Sequence, residues 1–375
     1  MRVKSRNRQE AFFTLLRAGL WEESEKQISL GEAVDWPTVY RLAREQAVLG
    51  LVLAGINRLP AEQQPPLKML MRSIGEIQAL EKMNLQLNAF VEGWVEKFHD
   101  SGIRVYLIKG QGIAQCYERP LWRSCGDADF FLSQADYVKA KSLIIPTAEF
   151  VKQENTYSRH QAIRMGRWTV ELHGSLRGGL STRIDKNLDE IGEEILSGKN
   201  PRYWMAGNTQ VSLPDVNDDA VYVFTHILKH FYKGGIGLRQ ICDWCRLIWT
   251  YRAEIDRGKL EKRLERMGLI TEWKSFAALV VNVLGMPAEA MPLYDASERF
   301  SRKANRIGAF VLAVGNFGSN REGRSADDPF VKRKAVSFGR RCADLIRHAR
   351  IFPLDSFRFL PRIMINGFEA AAKGK

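Results

Sequence analysis

Apolar residues recur along this chain with two different periods, and the change of period divides it into regions. From about residue 8 to residue 100 the spacing is helical. Ala11–Leu20 is amphipathic. Asp35-Trp36-Pro37 is a helix start, with Asp35 as N-cap and Pro37 in the first turn. That helix is expected to run through Leu42, Ala47, Leu51 and Leu53 to about Leu59. Pro60 to Pro66 is a break, and a long helix follows over Leu67–His99 until Gly102 ends it.

From residue 102 the period drops to two. Ile103–Val105–Leu107 reads as a short strand, followed by a helical segment, Ile113–Tyr117, that Pro120 stops. Asp127–Leu132 is a strand, and Ser133 caps a helix to Leu143. Ala148–Gln153, Gln161–Met165 and Trp168–His173 are strands, the last two joined by a Gly166-Arg167 turn. A polar loop (Gly174–Arg183), a helix (Ile184–Leu196) and a strand pair (Tyr203–Met205, Gln210–Leu213) complete this region. Beyond Asp215 the pattern is helical again, over Asp218–Tyr232, Leu238–Tyr251, Glu254–Met267, Ile270–Leu284 and Ser297–Val314. The expected organisation is a helical region (1–101), an α+β domain (102–214), a helical domain (215–318) and a basic tail (319–375).

The stretch from Ile103 to Leu132 carries the chemistry. Lys109-Gly110-Gln111-Gly112 is a glycine-rich corner after a strand, of the kind that lets backbone amides approach a phosphate. Asp127 and Asp129 stand two apart at the mouth of an apolar run, so a strand places both carboxylates on one face. A lone Asp-x-Asp is either a solvated pair or a divalent-cation site, and oxygen ligands suit Mg²⁺ or Mn²⁺. A third carboxylate changes the balance. In Trp168–His173 the alternation puts Trp168, Val170 and Leu172 on one face and Thr169, Glu171 and His173 on the other. Three carboxylates beside a phosphate-binding corner form an arrangement for phosphoryl or nucleotidyl transfer.

The order of strand, glycine corner, helix, Asp-x-Asp and distant acidic strand residue resembles the DNA polymerase β-like nucleotidyltransferase superfamily. More closely, Leu107–Gly110, Arg123, Gly126–Asp129 and Val170–His173 resemble the bacterial uncharacterised nucleotidyltransferase family, as do His226–His230 and Gly237–Asp243. The resemblance implies a mixed sheet of the polymerase β-like kind flanked by N-terminal and C-terminal helices. It implies that Asp127, Asp129 and Glu171 hold Mg²⁺ or Mn²⁺ and move a nucleoside monophosphate from an NTP to a hydroxyl or phosphate acceptor. Glu171, ahead of His173, is then the candidate for activating the acceptor hydroxyl. Nucleotide binding falls to Lys109, Gly110, Gln111, Gly112 and Arg123, and, by the same resemblance, to Lys229 and Arg239. The corner departs from the superfamily's Gly-Ser or Gly-Gly, because Gln111 supplies no hydroxyl, and the interval Gln111–Gly126 is long. Arg123 either neutralises phosphate or forms a structural ion pair, with Asp127 as partner.

The acceptor is left open between a small molecule, a sugar phosphate, a protein and an RNA end. The formal net charge of +13 favours anionic partners without choosing among them. The alternative is a catalytically inactive binding module of the same fold, using its basic surface for nucleic acid, membrane or a protein partner. Val331–Arg350 holds seven Lys or Arg against one acidic residue, a solvated helix face plus docking segment. No apolar run approaches a membrane span, no signal-peptide core follows Met1, and five cysteines argue against a disulfide framework, so a cytoplasmic protein is expected. Cys242-Asp243-Trp244-Cys245, without a second half, reads as core, and His226 with His230 as a packed or hydrogen-bonded pair.

Overall fold

The computed structural model describes residues 2–21, 28–31, 34–318, 320, 343–354, 356 and 358. Helices α1 (Arg2–Leu20), α2 (Trp36–Glu45) and α3 (Leu49–Ile56) form the first layer. The Asp35 carboxylate caps α2 by accepting from the Thr38 amide (3.1 Å). The single helix expected from Asp35 to Leu59 is broken between α2 and α3, where Ala47 has φ +55°. Gln46 is the reason. It is fully buried, its Nε2 donates to the Val311 carbonyl (3.2 Å), and its Oε1 accepts from the Leu238 amide (3.0 Å). Its own carbonyl accepts from the Arg239 amide (3.3 Å). A buried amide with tertiary partners outweighs helix continuity.

The long helix α4 (Leu67–Asp100) leads into the sheet. Next come β1 (Val105–Ile108), the short α5 (Gly110–Ala114), β2 (Asp127–Leu132) and α6 (Gln134–Ile144), capped by Ser133. β3 (Phe150–Val151), β4 (His160–Met165), β5 (Trp168–His173) and α7 (Thr182–Leu196) follow. β3 is shorter than the Ala148–Gln153 expected, and β4 starts one residue earlier. The five-stranded sheet has the order β1-β2-β5-β4-β3, with β2 and β5 parallel and the other pairs antiparallel. β6 (Arg202–Ala206) and β7 (Thr209–Leu213) form a separate hairpin. The chain finishes with α8 (Val216–Lys233), α9 (Leu238–Thr250), α10 (Arg257–Met267), α11 (Ile270–Asn282) and α12 (Glu298–Val314).

Alternation along the central strands sorts their side chains into two cores. Leu107, Ala128, Phe130, Leu132, Val170 and Leu172 pack with Leu87, Val91 and Phe98 of α4. Tyr106, Ile108 and Phe131 turn the other way, into a larger core shared by helices from both ends of the chain. The charged residues of β2 and β5 stand on this second face, where the apolar contacts give way to a cleft. Of the expected basic tail, residues 319, 321–342, 355, 357 and 359–375 lie outside the described residues. Within the described part His348, Ile351 and Phe352 are buried, with His348 4.5 Å from Phe231, ring centre to ring centre. Among the described residues no helix is long and apolar enough to cross a membrane.

One close approach fixes how α3 meets the segment preceding β2. A Cβ on Gly50 would stand 2.3 Å from the Trp122 carbonyl oxygen, so only glycine lets the helix backbone reach the 120–122 turn. Gly50→Ala should therefore lose about 1–3 kcal/mol of stability, the usual cost of overpacking. Denaturant unfolding would measure it, and an unchanged midpoint would show that the turn yields freely.

Candidate active site

Asp129 and Glu171 face each other as direct partners across the parallel β2–β5 pair, with Asp127 two residues back on the same face of β2. Their carboxylate oxygens lie within 4.8 Å of one another. The sequence placed each carboxylate on a face of its strand, and the register makes it one face. Lys109, at the end of β1, reaches Asp129 with its Nζ 2.7 Å from Oδ1. Its backbone sits at φ +58°, ψ −148°, a region favouring glycine, and this strained residue turns the chain from β1 into α5. His173 Nε2 is 2.8 Å from the same Asp129 oxygen.

These contacts set the charges. Burial opposes ionisation of Asp129, yet the Lys109 ammonium and the His173 hydrogen bond hold its carboxyl below the usual range. Burial would also lower Lys109, but Asp129, Tyr222 and Glu171 raise it, so it stays cationic. Asp127 has no such partner. Burial and then the Asp129 charge push it up to about 6. Glu171 is held below its ordinary value despite burial, chiefly by the hydrogen bond with His160 (Nε2 to Oε2, 3.0 Å). Burial brings His173 down to about 4 and His230 to about 3, and lowers His226 well below the ordinary value.

Two cavities meet at this cluster. The first, of about 240 Å³, is bordered by Lys109, Gly110, Asp127, Asp129, Arg239 and Phe317. The second, of about 230 Å³, is bordered by His160, His173, Arg177, Tyr222, Lys229 and the Leu176–Gly178 loop. Lys109, Glu171, His226 and His230 line both. Of the residues expected to bind nucleotide, Lys109, Gly110 and Arg239 border the first cavity and Lys229 the second. Gln111 turns away, buried, with its Nε2 donating to Asn88 Oδ1. Gly112 packs on Leu213, whose Cδ2 is 2.8 Å from where a Cβ would be.

Arg123 also lines the first cavity, but its guanidinium is engaged. Its Nε and Nη2 donate to Oδ1 and Oδ2 of Asp243 on α9 (2.7 and 2.8 Å), and both side chains are buried. The structural ion pair is thus made with Asp243 and not with Asp127, because the 120–126 segment folds towards α9. The Tyr117 hydroxyl donates to Asp243 Oδ1 (2.7 Å). Asn84 of α4 donates to the carbonyls of Leu121 (2.7 Å) and Arg123 (2.8 Å), and Arg239 Nη1 to that of Ser124 (3.1 Å). The long interval before Asp127 therefore ties β2 to α4 and α9. Cys242 and Cys245 are free and fully buried, and His226 Nε2 stands 3.2 Å from His230 Nε2. Sequence reasoning missed His160. Its one signal is its place at the start of an alternating run whose partner strand carries His173.

A mixed sheet carrying Asp127 and Asp129 on one strand, Glu171 on the parallel neighbour and a glycine corner beside them defines the α+β, polymerase β-like nucleotidyltransferase class. The model of the uncharacterised nucleotidyltransferase family matches residues 32–285, and the chain belongs to that family. Nucleotidyl transfer is the class of activity that membership carries. Neither the curated proteins nor the solved structures compared with the chain match it.

Asp243→Ala should cost about 3–5 kcal/mol in denaturant unfolding, because it leaves the buried Arg123 charge uncompensated. The neutral histidines give a second expectation. An unfolded histidine takes up its proton near pH 6.5, while His173, His226 and His230 in the folded protein do not until the pH is much lower. The unfolded state then binds more protons below that pH, and stability falls on acidification. Asp127 acts oppositely between about pH 6 and 4, and burial turns Asp218 and Asp219 the same way, against the three histidines. The thermal midpoint of the metal-free protein should drop between about pH 7 and pH 5, with a shallower slope in His226→Asn/His230→Asn.

Proposed function

We propose that the protein is a metal-dependent nucleotidyltransferase that moves a nucleoside monophosphate from an NTP to a hydroxyl or phosphate acceptor. The observation that carries the reading is the in-register meeting of Asp127, Asp129 and Glu171 on one face of adjacent strands. The donor set fits Mg²⁺ or Mn²⁺. All the donors are oxygens, they converge, and among the described residues no hydrogen bond or ion pair engages the Asp127 carboxylate. Asp127, Asp129 and Glu171 would hold the metal, which, when bound, offsets triphosphate charge and stabilises the charge developing on the leaving pyrophosphate.

The rest falls to the chain's own side chains. Lys109 and Arg239 face the first cavity and bind phosphate oxygens there, with Gly110 allowing close approach. The second cavity receives the acceptor, bordered by the Lys229 cation. Glu171 lies between the two and accepts the proton of the attacking hydroxyl, with His160 orienting its carboxylate through the 3.0 Å contact. The acceptor oxygen bonds to the α-phosphorus as the bond to the pyrophosphate oxygen breaks. The Gly110-Gln111 corner is compatible with this, since the Gln111 side chain is buried against Asn88 and leaves the cavity clear. A cytoplasmic setting suits the nucleotide substrate and the free thiols of Cys116, Cys125, Cys242 and Cys245.

Calorimetry with ATP, GTP, CTP and UTP, with and without Mg²⁺, tests the reading. At least one triphosphate should bind in a Mg²⁺-dependent manner and lose that binding in Asp127→Ala/Asp129→Ala. Asp129→Ala should lower transfer by at least about a hundredfold. Absence of binding by any triphosphate would leave the inactive binding module as the better account.

A further inference from the structure

We propose that His160, Glu171 and His173 form a second cation site, one that takes a first-row transition ion such as Mn²⁺, Co²⁺ or Zn²⁺ in preference to Mg²⁺. His160 and His173 are direct partners across the antiparallel β4–β5 pair, and their rings stand 4.7 Å apart. Glu171, two residues before His173, shares their face of β5. One donor atom from each of the three lies within 4.8 Å of the others. His160 Nε2 lies 3.0 Å from Glu171 Oε2, and His173 Nε2, hydrogen-bonded to Asp129, lies 3.7 Å from the same Glu171 oxygen. Ligands sharing one ion at 2.0–2.2 Å sit about 3–3.5 Å from each other, so a small inward movement closes the set.

The backbone holds the set in place before any ion arrives. His160 exchanges two hydrogen bonds with Asn155 (3.1 and 2.9 Å), which closes the loop ahead of β4, and β4 then pairs along its whole length with β5. The site opens onto the second cavity, which leaves positions free for a ligand of the ion. Two imidazoles and a carboxylate favour borderline ions, whereas Mg²⁺ prefers oxygen donors and retains its water. His173 Nε2 is hydrogen-bonded to Asp129 Oδ1 at 2.8 Å, which puts this site beside the all-oxygen one, and an ion bound here takes that nitrogen in place of the hydrogen bond. The two share Glu171, but the imidazole-containing site does not require nucleotidyl transfer to exist.

Co²⁺ serves as the probe, titrated into the full chain without nucleotide and followed by its visible ligand-field absorption. The wild type should bind it saturably, and an excess of Mg²⁺ should not displace it. Asp127→Asn, which alters only the all-oxygen set, should keep the spectrum. His160→Gln preserves an amide donor towards Glu171 and removes the imidazole, and should weaken Co²⁺ binding by at least about tenfold. His160→Ala should do the same, with circular dichroism and the unfolding midpoint checking that both variants fold. The proposal fails if Co²⁺ does not bind, if Mg²⁺ displaces it at comparable concentration, or if folded His160→Gln binds it as the wild type does. Co²⁺ binding without triphosphate turnover would sink the transferase reading alone. Mg²⁺-dependent transfer without this Co²⁺ site would sink this one alone.

Discussion

Like charges held close together in a partly buried site repel, and the centre of this protein is arranged around that repulsion. Asp127, Asp129 and Glu171 bring their oxygens within 4.8 Å of one another. A single ammonium, Lys109, answers the Asp129 charge by lying 2.7 Å from it. To place it there the chain accepts a backbone conformation unusual for any residue but glycine. Asp127 is left without an equivalent partner, and burial together with the Asp129 charge raises its affinity for a proton.

Holding that cluster requires β2 and β5 to stay in register, and several layers serve the purpose. On one face, α4 packs its apolar stripe against Phe130 and Val170. On the other, the segment before Asp127 is anchored to α4 through Asn84 and to α9 through the buried Arg123–Asp243 pair. Gln46, from the other end of the chain, fixes Leu238 and Arg239 at the start of α9. Arg239 borders the cleft, so a buried glutamine in the N-terminal helices helps position a cation of the site.

The residues around Glu171 differ in kind from those around Asp127. One side offers oxygens, with a lysine and an arginine nearby; the other offers two imidazoles and a separate cavity. That asymmetry supports the proposed reaction, in which an anionic donor meets a hydroxyl or phosphate acceptor.

Much of this was legible in the chain itself. The switch from helical to two-residue periodicity located the sheet, and alternation put Asp127 with Asp129, and Glu171 with His173, on polar faces. Caps at Asp35 and Ser133 were likewise readable, because each depends on a few consecutive residues. The tertiary structure decided the rest. Nothing local says that β5 lies parallel beside β2, that His160 stands opposite His173, or that Arg123 turns to Asp243, more than a hundred residues away. Nor does periodicity reveal the interruption at Gln46, whose amide partners come from α9 and α12. The strand pattern of a sequence fixes which face a side chain takes, since covalent geometry makes neighbours alternate. Which faces then meet is set by pairing between distant segments, and it is that pairing which turned separate carboxylates and histidines into a site.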